Sequence, residues 1–368
     1  MSSKVFMVGS RVVRSEGKIS PLLKLGDLLA EAGLEGVVAS GDPVAIKMHL
    51  GSSGGHRTIR PEFVKKVVDS VKRLGGRPFI AETCRPDAIQ YLEIANERGY
   101  NYSTLGCPVV IADGYKGEDF VEVETGGKIV EKVNVASAFY HAPSMIVLTH
   151  ITGHGNACYA GAIKNIAMGC NARSTKGKIH RSVNADPPVW HPEKCTACGE
   201  CAEACNYGAL VLVEDKPVID DELCERCMRC ARACSQEALV RPSPIRENFL
   251  EALVDGTRGV LSTFEGGRVL FVNFLVDVGP ECDCAPFSDR PIIPDQGILA
   301  SMDLVALEQA CLHLLTKAPA APLSRADEMG IGEGDKKFAC IHGLDPQGQV
   351  EAAEAAGLGS KDYELVTL

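Results

Sequence analysis

No apolar run in this chain approaches the roughly 18 residues that a membrane span needs, so no transmembrane segment is expected. The start, Met1-Ser-Ser-Lys-Val-Phe, leads into a short strand-like run and not into a charged head with a long apolar core. A secretory leader is therefore not expected either. Surplus positive charge is also missing: 38 Lys and Arg stand against 48 Asp and Glu, a formal net charge of -10. That balance argues against a general nucleic-acid binder, while local basic clusters can still hold a small anion. Aromatics are few, at 5%, in an otherwise ordinary globular composition. Together these point to a soluble cytoplasmic protein. Cysteine, by contrast, is plentiful. Sixteen cysteines without a secretion signal point to metal ligands in a reducing compartment, not to disulfides.

The first half alternates strand and helix. "KVFMV", "VAIKMHL", "PFIAET" and "SMIVLTHI" read as strands. "SPLLKLGDLLAEAGL" reads as a helix with Ser20 as N-cap and Pro21 in its first turn. "PEFVKKVVDSVKRLGG" reads as a helix opened by Pro61 and ended by Gly75, and "DAIQYLEIANERGY" and "CYAGAIKNIAMG" as two more. Such alternation implies parallel βαβ units, because parallel neighbours need a crossover of a dozen or more residues. "DFVEVETGGKIVEKVNV" breaks the rhythm and reads as a β-hairpin turning at Gly126-Gly127. Late in the chain, "NFLEALVDGTRGVL" and "DLVALEQACLHLLTKA" read as helices, and "RVLFVNFLVDV" and "YELVTL" as strands. The expected fold is α/β, a mostly parallel sheet flanked by helices, built from residues 1–185 and 242–368. Between them, 186–241 is dense in cysteine and bracketed by Pro187, Pro188, Pro192, Pro242 and Pro244. It is expected as an inserted small α+β module. Three separate domains would leave the last part with too few strands to cover its own helices.

Cys195, Cys198, Cys201 and Cys205 follow C-x2-C-x2-C-x3-C, and Cys224, Cys227, Cys230 and Cys234 repeat it. This is the spacing of two-cluster bacterial ferredoxins, in which the fourth cysteine of each run ligates the other cluster. Two [4Fe-4S] clusters are expected: one on Cys195, Cys198, Cys201 and Cys234, the other on Cys224, Cys227, Cys230 and Cys205. Zinc sites also use C-x2-C pairs, but they do not explain a third and fourth cysteine at these intervals twice over. Asn206 and Ser235 stand where proline usually follows the fourth cysteine. Ligation is unaffected by that departure, and the shielding of the sulfurs is not.

Two glycine-rich loops, "GSSGGHRTIRP" and "TGHGNACYAG", each follow a strand and precede a helix, as anion cradles do. Lys47, His49, His56, Arg57 and Arg60 lie on or beside the first; His150, His154, Lys164 and Asn165 on or beside the second. Gly153-x-Gly155 opens like a dinucleotide fingerprint, but its third glycine position is Cys158, so NAD binding is weakly supported. A small anionic substrate held by Lys47, His49, Arg57, His154, Lys164 and Asn165 is the expectation. Cys282 and Cys284 stand two apart, so in extended chain their side chains face the same way, roughly 7 Å apart. With Cys170 they would make a third metal site, a cluster or a single ion; as packed thiols or a redox-active pair they would not. Both readings stay open at this point. Cys84, Cys107, Cys311 and Cys340 read as buried packing thiols.

"VAIKMHLG", "LTHITGHGNACYAGAIKNIAMGC", "ECDCAPFSDRPIIPDQGILASMDLVALEQAC" and the closing "YELVTL" resemble the domain-of-unknown-function 362 family, often found with ferredoxin modules. The resemblance implies a shared fold and iron–sulfur content, and supplies no reaction. It marks His49, Gly153, His154, Lys164, Asn165, Cys170, Cys282, Cys284, Asp295 and Asp303 as site positions. The function expected is a ferredoxin-linked iron–sulfur oxidoreductase, with a ferredoxin or flavoprotein as redox partner. The alternative is a non-enzymatic electron carrier whose α/β domain docks a partner enzyme.

Overall fold

Apolar runs punctuated by glycine and proline become the eight strands of one sheet: β1 (Ser3–Gly9), β2 (Pro43–Lys47), β3 (Arg77–Glu82), β4 (Val109–Ile111), β5 (Ser144–His150), β6 (Val269–Leu275), β7 (Gly297–Ser301) and β8 (Tyr363–Thr367). The computed structural model describes residues 2–12, 20–85, 87–184, 186–205, 208–221, 223–224 and 226–368; Met1 and Asn206, named above, lie outside them. Strand order is β8-β1-β7-β6-β5-β2-β3-β4. All pairings are parallel except those of β7, which runs antiparallel to both β1 and β6. The mixed α/β class read from the sequence is the one observed.

Side chains alternate between the two faces of this sheet. Val8, Ile46, Ile146, Leu148, Val272, Phe274 and Ile298 share one buried cluster with Leu25, Leu28, Val64, Val67, Val68 and Val71. Those partners belong to α1 (Pro21–Glu31) and α2 (Pro61–Arg73), which therefore cover that face. The opposite face lies against α3 (Ala162–Gly169) and α4 (Leu304–Lys317). α2 forms where it does because Pro61 occupies its first turn, valines recur at helical spacing, and Lys72 and Arg73 sit in the last turn, favourable to the helix dipole. β6 is buried along its whole length, each large apolar side chain contributing about 1.5–3 kcal/mol of burial. Among the described residues no helix is long and apolar enough to cross a membrane.

Two compact units emerge, Met1–Lys176 with Leu250–Leu368, and Gly177–Phe249. In the smaller unit Val189–Trp190 pairs antiparallel with Leu239–Val240, and Leu210–Val213 with Lys216–Ile219. Its two cysteine runs repeat in backbone as well as in sequence. Ala197 and Arg226, each two residues past the first cysteine of its run, have φ of 54° and 47°. Gly199 and Met228, each just past the second cysteine, have φ of 85° and 57°. Left-handed non-glycine residues cost energy and persist where their surroundings over-determine them.

Three local expectations need correcting. Ser20 is extended ahead of α1, but its side chain makes no cap hydrogen bond. The helix expected from Cys158 begins only at Ala162, because Cys158–Ala160 pairs antiparallel with Thr152–His154. The Gly126-Gly127 hairpin forms between Phe120–Glu124 and Lys132–Ala136, with a connection longer than a two-residue turn.

Candidate functional site

Parallel strands bring their carboxyl ends to one edge of a sheet, and ligands of open α/β folds bind where the strand order reverses. Here the chain runs outward from β2 to β3 and β4, then returns to place β5 on the other side of β2. Lys47 ends β2, Glu82 ends β3 and His150 ends β5. The segment after β6, residues 276–296, carries Cys282 and Cys284 over the same edge.

The lower layer is a buried ion pair. Lys47, fully buried, donates from Nζ to Glu82 Oε2 at 2.9 Å and to Asn165 Oδ1 at 2.6 Å. Asn165 Nδ2 donates to the Leu148 carbonyl and to Thr149 Oγ1. Burial opposes ionisation of Glu82, but Lys47, His49 and Lys176 around it hold its carboxyl below the usual range. Gly169 makes room for this pair, since a Cβ there would lie 2.1 Å from Lys47 Cε. Lys47 and Asn165 thus hold protein groups and not an outside anion.

The upper layer is the thiol pair. Lys164 Nζ lies 3.0 Å from Cys282 Sγ and 3.9 Å from Cys284 Sγ. Cys284 N–H donates to Cys282 Sγ at 3.3 Å, and Arg85 Nη2 donates to the Cys284 carbonyl at 3.3 Å. The two thiols titrate as a unit: one proton leaves well below the ordinary thiol range and the other well above it. Lys164 and His49, facing the pair, stabilise its single negative charge. His49 Nδ1 also meets the Tyr91 hydroxyl at 3.1 Å and Glu82 at 3.5 Å, while its Nε2 is buried without a hydrogen-bond partner among the described residues. Burial pushes His49 down, but Cys284 and Glu82 outweigh it and raise it to about 9.

Between the thiols, Asp283 Oδ2 meets His150 Nδ1 at 2.8 Å, and His150 Nε2 meets the Val276 carbonyl at 2.9 Å. A ring with acceptors at both nitrogens is an imidazolium, and its titration is indeed raised, Asp283 overcoming burial.

Both glycine-rich loops turn out to pack on the cysteine loop, which corrects their reading as anion cradles. Ser52 Oγ donates to the Asp283 and Ala285 carbonyls, and a Cβ on Gly54 would lie 2.3 Å from the Pro286 oxygen. Arg57, expected to hold substrate, donates to the Asp289 carbonyl and pairs with Asp277, as Arg60 does. On the other side Gly153 N–H donates to the Gly279 carbonyl. His154 Nδ1 accepts from Asn156 and Ala157 N–H and shapes its own hairpin turn. A Cβ at Gly153 would lie 1.9 Å from the Pro280 oxygen. Gly153→Ala is therefore expected to cost about 1–3 kcal/mol in chemical denaturation and to speed alkylation of Cys284. Unchanged values on both counts would contradict the close packing.

Cys170 does not join the pair. Its buried thiol lies 4.0 Å from Met145 Sδ, and the charges acting on it come from Lys47, Glu82 and Lys176. Among the described residues no three His, Cys, Asp or Glu side chains gather closely enough to ligate one metal ion. Asp303 caps α4, accepting from Ala306 N–H, and Asp295 accepts from Asp277 N–H. Cys340, expected to be buried, is exposed; Cys84, Cys107 and Cys311 are buried. The sequence reading missed Glu82, Arg85 and Tyr91. Glu82 ends a parallel strand and Arg85 stands three residues on, a position that could have marked both.

In the smaller unit, Cys195, Cys198, Cys201 and Cys234 line one small hollow. Cys205, Cys224, Cys227 and Cys230 line another. Burial raises the Cys201 thiol, which lies near Cys234 and Cys198; burial likewise raises Cys230 to about 11, beside Cys227 and Cys224.

The model of the domain of unknown function DUF362 matches residues 44–313, close to three quarters of the chain. The chain belongs to the DUF362 family. No curated protein matches it. Among solved structures, this DUF362 protein is similar to the lactate racemase apoprotein from Thermoanaerobacterium thermosaccharolyticum, at 11% identity over 99% of this chain and 82% of that one, with a TM-score of 0.35. A Thermotoga maritima protein is similar at 11% identity over 68% of this chain and 60% of that one, with a TM-score of 0.30. Likenesses at that level carry nothing about chemistry.

The raised titration of His49 has a consequence for this DUF362 protein. A raised group stabilises the fold fully below its unfolded value of 6.5, and that contribution is lost as pH rises through about 9. The stability gap between wild type and His49→Asn should therefore narrow between those values in urea titrations. A gap that is constant or widens would remove Cys284 and Glu82 as the cause.

Proposed function

We propose that the chain is an iron–sulfur oxidoreductase whose working group in the larger unit is the Cys282/Cys284 dithiol. The observation that carries this reading is Lys164 Nζ, 3.0 Å from Cys282 Sγ, at a sheet edge where α/β folds place ligands. A thiol pair beside an ammonium, His49 and Arg85 is held as a reactive thiolate. The same cations oppose a bare metal ion between the two sulfurs, so the thiol-pair reading is preferred to a third metal centre.

The eight cysteines of the smaller unit fit two [4Fe-4S] clusters. Each hollow presents four soft anionic donors, drawn three from one run and one from the other, beside apolar side chains such as Leu212 and Leu239, or Leu210 and Ile219. Such clusters supply electrons one at a time. The chain's own residues do the rest: Lys164 and His49 stabilise the thiolate, the glycine loops fix the cysteine loop, and His150 anchors Asp283. Of the expected substrate-binding set, Lys164 and His49 keep that role beside the thiols. A ferredoxin or flavoprotein in a reducing compartment is the matching redox partner.

Anaerobically purified protein should hold about eight irons with equal sulfide. Mass mapping of the Cys282–Cys284 peptide should find dithiol under reductant and an internal disulfide under mild oxidant. Zinc in place of iron would overturn the cluster reading. Eight irons with a thiol pair that never oxidises would favour the electron carrier whose larger unit docks a partner enzyme.

A further inference from the structure

We propose that the thiol pair reduces a small disulfide bearing an anionic group, with Cys284 attacking, Cys282 resolving and Arg85 holding the anion. This deepens the reading above and rests on it. Thiol–disulfide exchange needs an accessible thiolate with a second thiol in reach. Cys282 and Cys284 are both partly exposed, Lys164 Nζ lies within reach of both sulfurs, and Arg85, bonded to the Cys284 carbonyl, would bring a held anion to Cys284.

The charge around the pair selects the partner. Asp283 is matched by His150, and Glu82 is shared between Lys47 and His49, which leaves cations in excess round the sulfurs. Lys164, His49 and Arg85 then stand against one shared thiolate charge, and the site is positive. Arg85 is exposed, and its Nη2 donates to the Cys284 carbonyl. Its guanidinium presents further N–H donors beside the attacking sulfur, in the planar geometry that suits a carboxylate. His49 Nε2 is buried and has no hydrogen-bond partner among the described residues.

The chemistry balances without another reagent. Cys284 thiolate attacks one sulfur of R–S–S–R; that S–S bond breaks, R–S⁻ leaves to take up a proton, and a Cys284–S–S–R bond forms. Cys282, losing its proton, attacks the Cys284 sulfur, releases the second R–S⁻ and closes the internal disulfide. The substrate gains two electrons and the dithiol loses them. Restoring the dithiol takes two protons from solvent and two electrons, delivered one at a time by an iron–sulfur donor of the class already read in this chain.

The test uses the full chain, purified anaerobically with its iron and reduced, and three disulfides of similar size: 3,3′-dithiodipropionate, 2-hydroxyethyl disulfide and cystamine. Single-turnover oxidation of the Cys282–Cys284 peptide, followed by mass, should be fastest for the dianion and slowest for the dication, by roughly tenfold or more at low salt. Arg85→Gln should bring that ratio toward one. Cys282→Ser should trap the anionic half as a mixed disulfide on Cys284. Equal rates for the three probes in the wild-type chain would overturn the anion selection, even if every variant failed to fold. Trapping on Cys282 in Cys284→Ser, with none on Cys284, would overturn the order of attack. If mild oxidant closes the internal disulfide but no probe does, this inference fails and the dithiol reading survives; if nothing closes it, that reading fails first.

Discussion

Lys47→Ala is expected to destabilise the larger unit by about 3–5 kcal/mol, because it leaves the Glu82 carboxylate buried without its partner. Lys47 Nζ is the nearest cation to Glu82, at 2.9 Å, and neither side chain has appreciable exposure to water. His49 and Lys176 remain, but burial dominates what acts on Glu82, and Lys47 is the foremost of the groups that oppose it. Adding Glu82→Gln should return much of the loss, since a neutral amide is far less costly to bury than a lone charge. Urea denaturation of the wild type and the single and double variants closes the cycle. A Lys47→Ala protein within about 1 kcal/mol of wild type would mean that the pair does little for the fold.

Cys205→Ala should remove about half the iron, and the half lost should be the set held with Cys224, Cys227 and Cys230. Cys205 lines their hollow, although it belongs in sequence to the other run. Cys234→Ala should reverse the outcome, since that thiol lines the hollow of Cys195, Cys198 and Cys201. Iron analysis with the spectra of the surviving cluster distinguishes the two. If Cys205→Ala disturbed the Cys195 set alone, each run would be serving its own cluster and the crossed assignment would be wrong.

The parts of the fold legible in sequence are those whose burial leaves a local trace. β6 announces itself because VLFVNFL is covered on both faces and reads as one apolar run. α2 does so through Pro61 and its spaced valines. β7 leaves little trace: GILAS is short, follows a proline-rich loop, and becomes a strand only because β1 and β6 flank it. The hairpin of Thr152–His154 with Cys158–Ala160 was hidden in the same way, by glycines that equally suit a phosphate-binding turn. Proximity to the thiols was legible for Lys164 and His49, as residue types beside glycine loops after parallel strands. Which charge answers which was not. Arg57 meets Asp277 across 220 positions, and Lys47 meets Glu82 only once β2 and β3 lie side by side. Charge pairing of that range is set by topology, and one sequence does not carry it.

The placement of β1 has a consequence for how the polypeptide is made. β1 lies between β8 and β7, so this strand leaves the ribosome well before either of its partners. Synthesis and pairing therefore run in opposite orders. Until residues 297–301 and 363–367 emerge, the apolar KVFMV segment has no native neighbour on either edge. Contacts so distant in sequence are slow to form, and an unpaired strand is prone to pair with another chain in the meantime. Pairing of β8 with β1 has to wait for residues 363–367, and nascent chains halted before Tyr363 would carry β1 as an open edge.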